Sequence, residues 1–339
     1  MPSMFDPRYS RVALLACVLL LALTAGCAQR SDLKKTLIGQ SRFEASERAP
    51  IVLAAYQPWF GRNNHMNVGY SSQDRVVLQR QIQEAEALGI AGFVVNWYGP
   101  RHPYEDQSYA MLQNLANADG NFKVSIMYDE DDSGPQDSTE AVLVDLQYAY
   151  DRYIGPHAQV PNTSYLRYNG RPVVFIFPKG TNTDWARVRQ AVQSWEDPPL
   201  LIYKDVHEKW KDAFDGFYAW VQPGKEGWKP DGSNWGREYL EDFYIKMKTQ
   251  HPDKLAVGAA WPGFNDTQAS WSRNRKMDAR CGKTFEDSLR LFRRYYDDNH
   301  QLPFLMIETW NDYEEGTAIE KGYAACGNKP QPVTTSAGQ

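Results

Sequence analysis

From Ile51 onward, apolar and polar positions alternate in blocks rather than residue by residue. Short apolar runs recur as "IVLAAYQPWF", "IAGFVVNWYGP", "FKVSIMYDEDD", "RPVVFIFP", "PLLIYKD", "FDGFYAWVQP", "KLAVGAAWPGFND" and "FLMIETWND". These eight runs are continuous within themselves, as expected of parallel strands buried on both faces. Between them lie stretches with helical period. The clearest, "SSQDRVVLQRQIQEAEALG", sets Leu78, Ile82, Ala85 and Gly89 on one face, with Ser72 or Asp74 as its cap. Others are "DSTEAVLVDLQYAYDRYI", "TDWARVRQAVQSW", "REYLEDFYIKMKTQ" and "TFEDSLRLFRRYYDD". An Asn169-Gly170 pair predicts a small hairpin leading into the fourth strand. Eight rounds of strand and helix predict an α/β chain folded as a (β/α)8 TIM barrel rather than an open doubly wound sheet. Two rounds are weak. The fifth helix, around His207 to Asp212, is poorly patterned, and too little chain follows the eighth strand for a full closing helix. No Gly-rich phosphate loop follows the first strand, which argues against nucleotide binding.

The first residues follow a different pattern. Arg8 and Arg11 precede an apolar run from Val12 to Leu23, which ends in "TAGC" at Cys27. A basic start, a short apolar stretch and small residues are the marks of an export signal. The run is shorter than the ~20 residues that a membrane span needs. Leu23 to Cys27 resembles the lipobox of bacterial lipoproteins, which implies that Cys27 becomes the lipidated first residue. A plain secretory signal and an uncleaved anchor are the other readings of this stretch. Residues 28–48 are polar and without period, and read as a tether. The expected organisation is a signal over 1–26, a tether over 27–49, a barrel over 50–325 and a tail over 326–339. The protein is expected to be exported and membrane-anchored through lipid, and Ala28 after Cys27 points to the outer membrane if the cell is Gram-negative.

Composition narrows the function classes. The chain has 339 residues, 42% hydrophobic, with a formal net charge of -5 and well-mixed signs. No basic patch runs through it, so nucleic acid is not expected as a partner, and a monomer is expected. The six His are scattered without metal-ligand spacing, and no CxxC exists, so neither a metal nor another cofactor is expected. After export and lipidation only Cys281 and Cys326 remain. An oxidising compartment allows a disulfide between them; two independent buried thiols is the other reading.

The chemistry is expected where the strands end, since barrels of this type carry their sites at the C-terminal face. The strand ends collect Tyr56 and Trp59; Asn96, Trp97 and Tyr98; Tyr128, Asp129 and Glu130; Trp220; Trp261 and Asn265; and Trp310, Asn311 and Tyr313. Rings offer faces for sugar C–H groups, while amides and carboxylates grip hydroxyls. Any one of these rings is more simply read as packing, but their recurrence at five or six strand ends points to a carbohydrate. Glycoside hydrolysis generally uses two carboxylates. The candidates are Asp129 and Glu130, Asp205, and the group Asp312, Glu314 and Glu315. If the chain after strand eight curls into a helical turn, Asp312 and Glu315 share a side and face the mouth, with Glu314 turned away. Gly316 permits the turn, and Thr317 is placed to hydrogen-bond a carboxylate. Glu308, Glu314 and Glu320 read as packing, solvation or loop orientation.

The stretches "YQPWFG", "FVVNWYGP", "YLRYNGRPVVFIFP" and above all "WNDYEEGTAIE" resemble the glycoside hydrolase family 71/99-like group. The resemblance spans about Ile51 to Glu320, and the strand-eight motif is its specific part. It implies a (β/α)8 enzyme acting on α-linked glycans such as α-mannans and α-1,3-glucans. Family 99 carries a Glu-x-x-Glu pair in this motif, and that pair falls on Asp312 and Glu315, with Gly316 and Thr317 matching. Asp312 departs from family 99, and "WNDY" looks instead like family 71, whose pair has Asp-x-x-Glu spacing. Family 99 implies retention assisted by deprotonation of the sugar 2-hydroxyl, whereas family 71 implies inversion through an activated water. Under either, Glu315 looks like the general acid and Asp312 the base, and Glu315 is expected to hold its proton to a raised pKa. The expectation is a lipid-anchored, endo-acting glycoside hydrolase. A glycan-binding lipoprotein on the same barrel is the alternative. A glycosyltransferase or deacetylase is disfavoured by the missing nucleotide motif and metal ligands.

Overall fold

Parallel strands covered on both faces need apolar residues at nearly every position, and the runs above supply them. In a computed structural model, which describes residues 50–130, 137–179, 182–296 and 303–322, they form eight strands. These are β1 (Ile51–Tyr56), β2 (Gly92–Trp97), β3 (Lys123–Asp129), β4 (Arg171–Phe177), β5 (Leu200–Lys204), β6 (Gly216–Tyr218), β7 (Leu255–Ala260) and β8 (Phe304–Ile307). Each pairs in parallel with the next, from β1 with β2 through β7 with β8. Strand β8 pairs with β1, Ile51 opposite Phe304 and Ala54 opposite Ile307, and so closes the ring. The (β/α)8 barrel expected from the pattern is therefore the fold.

The outer helices are α1 (Arg75–Ala87), α2 (Pro103–Asp119), α3 (Thr139–Ala149), α4 (Trp185–Gln193), α5 (Arg237–Thr249) and α6 (Lys283–Tyr295). Asp74 caps α1 by accepting from the Val76 and Val77 amides, and the helix buries Leu78, Ile82 and Ala85 against the barrel. Asp184 caps α4 in the same way through Ala186 and Arg187. Such a cap contributes about 1 kcal/mol. The weakly patterned fifth round is a 3-10 turn, Glu208–Ala213, in place of a helix. Asn169 and Gly170, both at positive φ (50° and 80°), turn the chain so that Arg167–Tyr168 pairs antiparallel with the start of β4. The seventh apolar run divides into β7 and a short strand, Phe264–Asn265, which pairs antiparallel with Lys276–Met277. That small ribbon carries a loop over the barrel mouth.

Cys281 is disulfide-bonded. Cys326, its expected partner, and Cys27 with the whole leader and tether lie outside the described residues.

Candidate active site

The chain after β8 turns sharply rather than running on into a helix. Asp312 makes the turn: its Oδ1 accepts the Glu315 amide at 2.8 Å, and its carbonyl accepts the Thr317 and Ala318 amides at 3.0 and 3.1 Å. The Asp312 amide in turn donates to the Thr309 hydroxyl at 2.7 Å. Gly316, at φ 65°, takes the left-handed position. A Cβ there would also press to 3.3 Å of Asn265. The Thr317 hydroxyl meets Thr309 at 3.1 Å rather than a carboxylate. The turn brings Asp312 and Glu315 within electrostatic reach of each other.

Their surroundings differ. Asp312 is 2% exposed. Burial, with the Glu315 charge next, pushes its carboxyl well above the usual range, and backbone amides pull it back only in part. The Glu315 side chain keeps 18% exposure toward the mouth. Burial raises its pKa as well, while the Trp271 indole, then Arg275, pulls it down. The Trp271 Nε1–H donates to Glu315 Oε1 at 2.9 Å, and Arg275 Nη2 lies 3.8 Å from the same oxygen. Two like charges this close cannot both be cheap, so the pair titrates as a unit and retains a proton above the ordinary carboxylate range.

The neighbouring acids hold the turn in place. Glu314 is buried and accepts from the Met66 amide and binds His65 Nδ1, both at 2.9 Å, which fastens the loop after β1. Glu320 accepts from Tyr313, Tyr70 and Gln81 at 2.7, 3.0 and 2.8 Å. Asn311 grips the Gln57 backbone from both sides: its Oδ1 accepts the amide at 2.7 Å and its Nδ2 donates to the carbonyl at 2.9 Å. The last strand's loop is thus tied to the first strand's.

The rest of the mouth comes from inward positions of other strands. Asn96 Nδ2 lies 3.4 Å from both Asp129 Oδ2 and the Tyr98 hydroxyl. The charges of Asp129 and Asp312 add to burial in raising Tyr98, so this ring bridges the β3 and β8 sides. Lys179 Nζ pairs with Asp129 Oδ1 at 2.9 Å. Lys204 Nζ sits 3.9 Å over the Phe177 ring, and Trp220 meets the same ring edge-on at 5.3 Å. Trp59 stacks on His65 at 4.8 Å and approaches Tyr98 at 6.4 Å. Of the expected site residues, the structure therefore gathers Trp59, Asn96, Tyr98, Trp220, Asp312 and Glu315 at the mouth.

Others face away. Successive strand residues point to opposite faces, so neighbours of an inward residue turn outward. Tyr56 donates to Gln81 of α1 at 2.8 Å, Trp97 to Asp106 of α2 at 3.0 Å, and Tyr128 to Asp145 of α3 at 3.0 Å. Trp310 packs on Phe93 at 5.4 Å, fully buried. These four belong to the layer between barrel and helices, a correction to their reading as sugar contacts. Glu130 is turned to the Lys179 amide at 3.1 Å and the Thr183 hydroxyl, tying β3 to the chain after β4. The Trp261 indole donates to the Trp235 carbonyl at 3.0 Å, beneath the chain that leads into α5. The Asn265 side chain is spent on Thr267, while its amide holds the Glu315 carbonyl at 2.7 Å. Asn311 and Tyr313 serve as the fasteners described above.

The sequence gives no role to Trp271, Arg275, Lys179 or Lys204, and Glu308 reads there only as a packing or solvated residue. Glu308 lies just past β8 and is fully buried, and neither carboxylate oxygen has a partner in hydrogen-bond geometry among the described residues. The Val221 amide exerts a stabilising pull without meeting that geometry. Lys204 at the end of β5, Asp205 just after it and Tyr218 of β6 all interact with its charge. Since β8 is flanked only by β7 and β1, it reaches them through the barrel interior. Burial holds its pKa well above the usual range. A carboxyl raised in the folded state binds its proton more tightly there, so it lowers stability as pH rises past its unfolded value of about 4.3. Glu308→Gln should therefore gain stability over the parent between pH 4 and pH 8, by roughly 1–3 kcal/mol at the upper end. Thermal unfolding of both proteins across that range checks this, and a difference that stays flat or shrinks with pH contradicts it.

Among the described residues, no three His, Cys, Asp or Glu side chains converge as a metal site requires. The sequence profile of glycosyl hydrolase family 71 matches residues 64–327. No curated protein matches the chain. Among solved structures, the barrel resembles the GH99 endo-alpha-mannosidase from Bacteroides thetaiotaomicron in complex with Bis-Tris-propane. There the TM-score is 0.61 and the identity 20%, over 79% of this chain and 86% of that one. A second structure of that enzyme gives a TM-score of 0.60 at 19% identity, over 82% and 89%. A glycoside hydrolase-like protein gives 0.55 at 17%, over 85% and 91%.

Proposed function

Because the chain belongs to glycosyl hydrolase family 71, we propose that this glycoside hydrolase cleaves internal α-linked bonds of an α-mannan or α-glucan type polysaccharide. The observation that carries the proposal is the turn after β8, in which Asp312 accepts the Glu315 amide and the two carboxyls bear on each other's charge. Glu315, the more accessible of the two, protonates the departing glycosidic oxygen. Asp312, deeper in the turn, serves as base toward a water or the sugar 2-hydroxyl. The likeness to an endo-alpha-mannosidase supports α-mannan as a substrate class. Endo action is supported by rings on several sides of the mouth, Trp59, Tyr98, Trp220 and Trp271, which offer more than one sugar subsite.

Substrate also has a part in the acid's protonation. In the free protein the Trp271 N–H and Arg275 favour charged Glu315. A sugar chain that draws either donor away raises Glu315 toward the form that can donate. The barrel is carried by a tether to lipid on Cys27, on the export side of a bacterial membrane.

A second reading, a glycan-binding lipoprotein, is favoured by one observation: the Asp312 carboxylate is already engaged in capping its turn. Incubating the purified protein with α-mannan and with α-1,3-glucan separates the two. New reducing ends on internal cleavage support the hydrolase, and retention of either polymer with no cleavage supports the binding protein.

A further inference from the structure

The loop between the paired segments Phe264–Asn265 and Lys276–Met277 is built to hold one side chain in place. Asp266, fully buried, is its hub. It accepts from Arg275 Nε at 2.7 Å, the Arg275 and Arg273 amides at 2.8 and 3.1 Å, and the Ser272 hydroxyl at 3.3 Å. Arg275, so fixed, lies over the Phe264 and Trp228 rings at 5.0 and 5.5 Å. The Asn265 amide fastens the loop's first residue to the Glu315 carbonyl. On this scaffold Trp271 stands 39% exposed, and among the described residues no other tryptophan is exposed to that degree. Part of its face is thus open to a ligand, and an open indole face suits the C–H side of a sugar. Its edge rests against Trp59 at 5.9 Å and His65 at 6.1 Å, while its N–H is spent on Glu315.

We infer that Trp271 is a positioning residue for the hydrolysis. Its indole N–H orients Glu315, while its exposed face is the platform on which the sugar chain lies. The inference rests on the reading of Glu315 as one of the two reacting carboxyls. The groups that bear on Glu315 are Asp312 on its own turn, Asp266 and Arg275 on the β7 loop, and Lys179 after β4. Of these, Asp266 and Asp312 oppose its charge and Arg275 and Lys179 favour it. None of them is a stacking surface, so the two effects of Trp271 can be separated by substitution.

Trp271→Phe keeps a ring and removes the donor. The limb of the pH profile of kcat/KM that reports Glu315, measured on whichever polysaccharide the parent cleaves, should move to higher pH, with KM near the parent value. The basic limb moves if Glu315 donates its proton, and the acidic limb if it accepts one. Trp271→Ala removes the platform as well, and should raise KM roughly three- to tenfold above the Phe variant. Melting temperatures near that of the parent show that both variants fold. Glu315→Gln separates the inference from the reading beneath it. If Glu315→Gln keeps near-parental activity, the reading fails and the inference with it. If Glu315→Gln is inactive while Trp271→Phe leaves both limbs in place, the inference alone is overturned. The same holds if the Ala and Phe variants share one KM.

Discussion

Glu315→Gln is expected to lower kcat/KM on the polysaccharide about 10³-fold, within the 10²–10⁴ that a positioned proton donor contributes. The substitution keeps the side chain's shape and the oxygen that accepts from Trp271, so the fold should tolerate it, with stability within about 0.5 kcal/mol of the parent. The loss comes from the leaving group, since a sugar alkoxide departs badly without a proton. An aryl glycoside whose phenolate needs no proton should therefore lose only about tenfold or less. The basic limb of the parent profile, set by deprotonation of a Glu315 that burial raises, should vanish in the variant. Equal losses on both substrates, or near-parental turnover of the polysaccharide, would remove Glu315 from the acid role.

Asp312→Asn should be the more severe change, roughly 10³–10⁴-fold in kcat, and an activated leaving group should not restore it. The attacking oxygen loses its base whatever departs from the other side of the sugar. Asn can still accept the Glu315 amide, so the turn keeps its cap. The pH signs can be worked out. Asp312 must be ionised to act, and burial together with Glu315 raises its pKa, so parental activity should fall with decreasing pH already above the ordinary carboxylate range. For stability the sign is opposite. A raised native pKa means stability is lost as pH rises from the unfolded value through the folded one. Asp312→Asn should thus be more stable than the parent at pH 8 and nearly equal to it at pH 4. Kinetics on both substrates, with melting curves at the two pH values, tests the pair. Activity above about a tenth of the parent would sink the assignment.

The barrel was legible because parallel strands leave a coarse signal: every position of β2, for instance, is buried, and its run stays apolar until Asn96 near the strand's end. The fifth round read as weak and is a 3-10 turn, since "EKWKDA" offers no apolar stripe for the barrel to cover. The β8 turn was legible because its residues are local to one another; Asp312, Glu315 and Gly316 need only their own backbone to come together. Side-chain facing was less so. Asn96 and Trp97 stand next to each other at the same strand end, yet one enters the mouth and the other meets Asp106 on α2. Sorting them requires knowing which residues of β2 face inward, which the unbroken apolar run from Phe93 to Val95 does not disclose. Trp271 was invisible for another reason. Its place depends on Asp266 gathering Arg273 and Arg275 from across a loop that has no period at all. Glu308 read as a packing or solvated residue because nothing near it in sequence reveals Lys204, which reaches it through the barrel interior.

The hold of Asn311 on Gln57 spans 254 residues of chain. Closure of this kind is among the slowest steps a fold can require, because nearly the whole polypeptide must be in place before the two ends reward each other. The reacting turn arrives on the same segment that completes the ring. A nascent chain therefore carries no working carboxyl pair while β8 is still being made, however well its earlier strands have assembled. Hydrolytic competence coincides with the finished barrel, so the loop that does the chemistry also certifies that the molecule is whole.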